Sequence, residues 1–357
     1  MIWLPRYVSR TVLGAMLLVL LLLLGLDVVF SFIAELEELR ADYRAPQALI
    51  YVLLTSPRRA YDMLPIAALV GGIAGLGMLA NHSELTVMRA AGVSIRRIVW
   101  WVLKPALLMV VAGLLLGQYV VPKTERLAEE RRAEALGQES GAGTGMFGAY
   151  WHREGNTVLN VALVDATGLL KGLSFFRFDD NGRFLGGVRA NEARFIDGGG
   201  WELSGLSETR IEADGRTVIS TREKERWDSK LTPEYLRLVT LKPEYLSLSS
   251  LYEYATYLKQ QGLDAEAYFL EFWKKALAPL ATISMVLIAC SFIFGPLRSV
   301  TMGLRILSGV LAGLLFRYGQ DFLGYASLVY DFSPLLAAGL PIAVCLVAGG
   351  VAIARVR

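Results

Sequence analysis

Residues 12–32 read VLGAMLLVLLLLLGLDVVFSF, a run of twenty-one positions in which Asp27 is the one ionisable side chain. A helix rises about 1.5 Å per residue, so such a run covers the roughly 30 Å hydrocarbon core of a bilayer while satisfying its own backbone hydrogen bonds. Arg6 and Arg10 precede it, as basic residues precede a secretory signal. The apolar run is too long for a signal core, however, and no small-residue cleavage site follows, which predicts a retained helix. Five more runs meet the same length requirement: Met63 to Ala80, Ile98 to Val121, Ala276 to Phe294, Leu304 to Leu323 and Pro334 to Ala354. The pattern is three spans, a large insert from Pro122 to Lys275, and three more spans.

Composition agrees with this reading. Hydrophobic residues make up 54% of the 357 positions and charged residues 19%, below the roughly 25% of soluble domains, and the shortfall is concentrated in the apolar runs. A formal charge of +3 without clusters argues against a nucleic-acid partner. Cys290 and Cys345 both lie in apolar runs, so neither a disulfide framework nor a zinc site is expected.

Segments on the N-terminal side of the spans carry Arg6, Arg10, Arg89, Arg96, Arg97, Arg298, Arg305, Arg355 and Arg357 against a single acid, Glu84. Arginine and lysine excess marks the cytoplasmic face, which puts both termini inside and the insert outside. The loop from Ile33 to Asp62 offsets Arg40, Arg44, Arg58 and Arg59 with Glu35, Glu37, Glu38, Asp42 and Asp62.

The insert opens with a charged helical stretch, Thr124 to Leu136, and closes with another, Leu251 to Trp273. Between them the period changes. Thr157 to Val164, Leu173 to Phe178, Val188 to Ile196, Trp201 to Ile211 and Thr217 to Arg222 read as short strands, with turns at Asp180-Asn181-Gly182, Asp197-Gly198-Gly199-Gly200 and Asp214-Gly215. Trp201 and Leu203 face one way and Glu202 and Ser204 the other. A small all-β sandwich or roll is expected, linked through glycine-rich residues Gly137 to Gly148. The resulting domains are 1–121, a helical extension and link over 122–149, the β-domain over 150–245, a helical return over 246–275, and 276–357.

No Gly-Lys pair occurs, so the lysine-bearing phosphate loop of nucleotide-binding proteins is missing and any ATP hydrolysis belongs to a partner. His82 and His152 fall on opposite sides of the membrane, no metal-ligand spacing exists, and no Gly-x-Ser-x-Gly elbow is present. The chain is not expected to be an enzyme by itself, nor to bind a metal or cofactor of its own. Ionisable residues within spans cost roughly 2.5–3.5 kcal/mol each at the bilayer centre, and the candidates are Asp27, Lys104, Arg317 and Asp321. Arg317 and Asp321, four apart, read equally as an intrahelical pair or as a substrate contact. Lys104 can snorkel to the cytoplasmic end, and Asp27 has no partner in its own helix. Gly71 and Gly75, Gly113 and Gly117, and Gly309 and Gly313 each place two glycines on one helix face, suited to internal packing or to a subunit seam.

The segment Asn81 to Arg97 has Ser83 placed as an N-cap, a short amphipathic helix, and Gly92 as its stop. A short helix between two spans on the cytoplasmic side suits transmission from a separate ATPase; it also reads as a solvated helical turn.

Leu76-Gly77-Met78-Leu79-Ala80, then Ser83-Glu84-Leu85-Thr86-Val87-Met88-Arg89-Ala90-Ala91-Gly92, and Ser291-Phe292-Ile293-Phe294-Gly295-Pro296-Leu297-Arg298-Ser299 with Met302-Gly303-x-Arg305, resemble the LptF/LptG permeases of the lipopolysaccharide export system. The resemblance covers essentially the whole chain, and the second motif is nearer to LptG than to LptF sequences. It implies six transmembrane helices with an inserted periplasmic β-jellyroll-like domain in the inner membrane of a Gram-negative bacterium. The implied partners are the homologous permease LptF, the cytoplasmic ATPase dimer LptB, which would use ATP and Mg²⁺, and the bitopic protein LptC, with lipopolysaccharide as cargo. By this resemblance Ser83, Glu84, Leu85, Val87, Met88, Arg89, Ala90, Ala91 and Gly92 form the coupling helix, and spans one and five line the lipid cavity. Other mechanotransmitting permeases, or a membrane-anchored periplasmic receptor or scaffold, share the topology.

Water-exposed acyl chains cost about 0.8 kcal/mol per CH₂, so a multi-acylated lipid needs an apolar path, with basic groups for its phosphates. The candidate contacts are Asp27, Phe30 and Phe32 on span one, Phe316, Arg317 and Phe322 on span five, and Lys123, Arg126, Arg131 and Arg132 beyond span three. Those last four also fit a solvated helix balanced by Glu125, Glu129 and Glu130. Family members can carry a lysine near the outer end of span one, where this chain reads Ser31-Phe32-Ile33-Ala34-Glu35; Arg317, Arg40 or Arg44 would then substitute.

Overall fold

A computed structural model of the chain describes residues 3–39, 43–135, 150–164, 169–180, 182–196, 200–211, 216–229, 243–260, 264–295 and 300–355. It divides into two compact units. One comprises Met1–Glu37, Val52–Glu125 and Pro243–Arg357, the other Glu38–Tyr51 and Arg126–Lys242.

Helices, two of which continue into the second, make up the first. They are α1 (Trp3–Leu36), α2 (Ala45–Asn81), the short α3 (Glu84–Ala90), α4 (Ile95–Leu115), a π-helical turn (Leu116–Val120) leading into α5 (Val121–Ala135), α6 (Leu248–Gln260), α7 (Glu266–Phe294), α8 (Met302–Tyr330) and α9 (Pro334–Arg355). Among the described residues five helices are long and apolar enough to cross a membrane: Trp3–Leu36, Ala45–Asn81, Ile95–Glu129, Glu266–Phe294 and Pro334–Arg355. The predicted fifth span lies in α8, which has the length, but Arg305, Arg317 and Asp321 lower its apolarity and it is not among those five.

Three local expectations are corrected. The charged segment read as loop up to Asp62 is already helical from Ala45, so Arg58, Arg59 and Asp62 sit on α2. The single return helix is two, α6 and α7, with Asp264 Oδ1 accepting from the Glu266 amide at 2.9 Å to start the second. Ser83 makes no side-chain cap: its backbone is left-handed, φ 60°, in the tight turn out of α2.

Packing centres on α2. Of its most apolar stretch 67% is buried, against 17% for α1. One of the three glycine pairs lies on α2 and the other two face it. A Cβ on Gly71 would lie 2.4 Å from the Met16 Cα and one on Gly75 2.9 Å from the Val12 Cα, so the backbones of α1 and α2 touch. Gly113 and Gly117 of α4 and the π turn admit Leu64 and Tyr61, and Gly309 and Gly313 of α8 admit Ile73 and Ile66. These pairs serve internal packing.

The second unit contains one six-stranded antiparallel sheet in sequence order: β1 (Tyr150–Glu154), β2 (Thr157–Val164), β3 (Leu170–Phe178), β4 (Phe184–Phe195), β5 (Trp201–Ile211) and β6 (Thr217–Trp227). Of the expected sandwich or roll, the described strands show an all-β antiparallel meander in which each strand pairs with its sequence neighbour. Strand β1, short and mostly polar, escaped the sequence reading. Its turn into β2 uses Gly155 at φ +59°. The link Gly137 to Gly148 and the turn at Asp214-Gly215 lie outside the described residues. Leu159, Val161, Leu173, Phe175, Val188, Ala190, Trp201, Leu203 and Leu206 make the buried face, and Glu202 and Ser204 lie on the less buried one, as the alternation predicted.

Within this sheet, hydrogen bonding from Arg210 above all, with the charges of Arg177 and Arg222, holds the Glu208 carboxyl below the ordinary glutamate range. A lowered folded-state value stabilises the sheet above the unfolded value of about 4.3. That contribution disappears as pH falls through the lowered value, so Glu208→Gln should flatten the acid limb of the thermal midpoint measured against pH. For the helical unit, Gly71→Val should cost about 1–3 kcal/mol by overpacking, read as a lower melting temperature in detergent. Gly14→Ala, with nothing within 4 Å, should melt like the parent; equal melting of both variants would refute the α1–α2 contact.

Candidate functional site

Helix α3 connects α2 to α4 and is held by two side chains. Leu85 and Met88 are buried in the helical core, and Val93, just beyond the helix, joins them. Its end is a Schellman turn: the Val93 amide donates to the Met88 carbonyl and the Gly92 amide to the Arg89 carbonyl, both at 3.0 Å, with Gly92 at φ +83°. A side chain is disfavoured there, so the predicted stop at Gly92 has a physical basis. Thr86, Val87, Arg89, Ala90, Ala91 and Gly92 face outward, with Val87 66% exposed. The residues predicted to contact an ATPase therefore divide: Leu85 and Met88 anchor the helix, while Ser83, Val87, Arg89, Ala90, Ala91 and Gly92 are presented.

Glu84 opens α3 and accepts a hydrogen bond from Tyr7 Oη of α1 at 3.0 Å. Nearby, Ser9 Oγ of α1 donates to the Trp101 carbonyl at 2.7 Å, and Arg305 Nη1 of α8 donates to Asn81 Oδ1 at the end of α2 at 3.4 Å. The junction carrying α3 is thus tied to α1 and to α8. Sequence reading missed Tyr7, because nothing in the period of α1 reveals a partner 77 residues away.

The lipid candidates scatter. Asp27 is paired after all, with Arg59 Nη1 of α2 at 2.7 Å; the same guanidinium also contacts Ser31 Oγ and donates through Nε to Thr55 Oγ1 at 3.3 Å. Phe30 and Phe322 are exposed, Phe32 is half-buried and Phe316 is buried. Arg317 pairs with Asp321 within its helix at 3.2 Å, and Lys274 of α7 approaches the same carboxylate at 3.9 Å. Along α5, Lys123, Arg126 and Arg131 are exposed. Arg132 pairs with Glu38 at 3.2 Å and lies over the Tyr51 ring. Glu125, expected to balance that helix in solvent, is instead fully buried against Arg58 of α2 at 2.9 Å.

A polytopic helical protein with one β-insert, a short anchored helix between its second and third long helices, and outward apolar faces on α1 and α8 has the build of a membrane permease. The comparisons make the class specific. Residues 6–355 match the family model described as lipopolysaccharide export system permease LptF/LptG, and the chain belongs to that family. It is 35% identical over 340 residues to the lipopolysaccharide export system permease protein LptG of Escherichia coli strain K12, covering 95% of this chain and 94% of that protein. The LptG protein of Haemophilus influenzae is likewise 35% identical over 341 residues, with the same coverage.

The Asp27–Arg59 pair is testable by a double-mutant cycle. Asp27→Ala and Arg59→Ala should each lower the melting temperature in detergent, and the double variant should lose less than their sum by about 0.5–3 kcal/mol. Additive losses would mean that the two charges do not interact.

Proposed function

We propose that this chain is one half-permease of an ATP-driven exporter that extracts lipopolysaccharide from the inner membrane and delivers it to a periplasmic β-jellyroll bridge toward the outer membrane. The observation that carries the reading is α3, a short helix held by Leu85 and Met88 with its Val87 and Arg89 face outward, in a chain that matches the permease family nearly from end to end. In this reading α3 docks on the cytoplasmic ATPase dimer LptB. That partner uses ATP and Mg²⁺, and this chain binds neither. LptF supplies the second half-permease and LptC the bitopic link.

Helix α8 is the fifth of six spans. Its Arg317 and Asp321 neutralise each other, which lowers their insertion cost. Both termini are cytoplasmic and the sheet is periplasmic, with its apolar face enclosed as the meander rolls into a jellyroll-like domain. The outward faces of α1 and α8, with Phe30 and Phe322, border the acyl path, and Lys123, Arg126 and Arg131 meet head-group phosphates. The domain limits proposed from sequence follow this division of labour.

The test is Glu84→Ala in the assembled exporter. One surface hydrogen bond contributes about 0.5–1.5 kcal/mol, so melting should change little. ATPase co-purification and ATP-driven lipid release from proteoliposomes should fall about tenfold or more. Unchanged co-purification and release would remove the coupling assignment and favour a membrane-anchored scaffold.

A further inference from the structure

Three guanidiniums from three strands converge on one carboxylate. Arg177 Nη1 of β3 and Arg210 Nη2 of β5 reach Glu208 Oε1 at 3.3 and 3.0 Å, and Arg222 Nη2 of β6 reaches Oε2 at 3.1 Å. Glu208 is 8% exposed, whereas the three arginine side chains are about half exposed, at 46%, 64% and 51%. The position is unusual for a charge. Register places Phe175 opposite Val188 and Val188 opposite Glu208, so the glutamate extends a row of the apolar face; Arg222 likewise sits opposite buried Leu206.

The next row of the ladder runs Arg177, Gly186, Arg210. Gly186 has φ +148°, and a Cβ there would lie 2.3 Å from the Thr209 carbonyl oxygen, so no side chain can stand between the two arginines. Adjacent strands are about 4.8 Å apart. The two arginine backbones therefore flank a bare strand, and a cavity of about 300 Å³ opens there, lined by Arg177, Gly186, Gly187, Val188, Glu208 and Arg210. Glu225 takes the other end of Arg222 at 3.0 Å. Two carboxylates thus face three guanidiniums, and positive charge is left over. A guanidinium carries five N–H donors in a planar fork matched to phosphate oxygens, and the carboxylates of this cluster take four hydrogen bonds from the three forks.

We propose that this basic end of the sheet is a binding site for a phosphate monoester, held between Arg177 and Arg210 with Arg222 behind, and that its ligand is the phosphorylated sugar head of the lipid cargo. Glu208 gathers the guanidiniums and competes with the incoming anion. The apolar side chains of Phe175, Val188 and Leu206 on the same face favour an amphiphile over free phosphate. Naming the lipid rests on the export reading; the phosphate chemistry does not.

The experiment is calorimetric titration of the full chain, in phosphate-free detergent buffer, with a phosphorylated glucosamine, unphosphorylated glucosamine and inorganic phosphate. The phosphorylated sugar should bind, the unphosphorylated sugar should not, and inorganic phosphate should bind several-fold more weakly. Arg177→Gln/Arg210→Gln should weaken binding at least about tenfold, as expected on losing charge-assisted hydrogen bonds. Glu208→Gln, which removes the internal competitor, should tighten it; this opposite sign cannot come from unfolding. No binding by the parent chain, or no weakening in the double arginine variant, would reduce the cluster to a structural ion network. Inorganic phosphate binding as tightly as the sugar phosphate would overturn the lipid-head assignment. The titration contains neither ATPase nor transport, so failure of the export reading leaves sugar-phosphate binding intact, and the two failures are told apart.

Discussion

Lipid tails are as apolar as leucine, so helices in a bilayer gain nothing from hiding apolar surface against one another and must associate through close contact. In this chain that contact converges on α2. Gly71 and Gly75 let α1 touch its backbone, Gly113 and Gly117 receive its Leu64 and Tyr61, and Gly309 and Gly313 receive its Ile73 and Ile66. One helix therefore sets the positions of three others. Helix α3 hangs from the end of α2, where Tyr7 and Arg305 also tie α1 and α8 to the same junction. A load applied to α3 has a short route to both.

Charges within the helical unit obey the same economy of partners. Isolated ionisable groups in a bilayer are costly, and here several have partners on their own or a neighbouring helix. Arg59 binds Asp27 and contacts Ser31, Arg58 binds Glu125 and Asp62, and Lys275 donates to the Glu244 and Leu246 carbonyls at 2.8 and 2.6 Å. Such pairs fix rotation about a helix axis in a way that apolar contact alone does not. Breaking one leaves its partner stranded, which is why they specify packing even where their net contribution to stability is small.

What the sequence made legible follows from the range of the interactions involved. Apolar run length disclosed the long helices because a span depends on its own residues, and β2 and β5 were bounded to the residue by alternation and turn glycines. The stop at Gly92 was legible for the same reason. Partners in space were not: Asp27 looked unexplained because Arg59 lies 32 residues on, and Glu125 looked solvated because Arg58 is on another helix. The start of α2 was hidden by Arg58, Arg59 and Asp62, whose charge resembles a loop until their ion pairs are seen. Within the candidate coupling segment, sequence located the helix but not the split between anchoring Leu85 and Met88 and the outward Val87 and Arg89.

Exposure of leucines on α1 carries little information by itself, since a lipid-facing helix needs no protein cover. The polar landmarks are more telling. Val8, Val12 and Met16 are buried, and about three turns beyond Met16 the same side of the helix carries Asp27 and then Ser31, which meet Arg59. These residues mark the inner side of the helical unit. Leu18, Leu22, Leu26, Val29 and Phe30 are exposed. Asp27 is therefore committed to internal structure, and the exposed surface of α1 is carried by Phe30 and its apolar neighbours. In the proposed export reading, the stretch of α1 from Val12 to Phe32 carries no basic residue, so recognition of the phosphates falls to basic residues elsewhere in the chain or its partners.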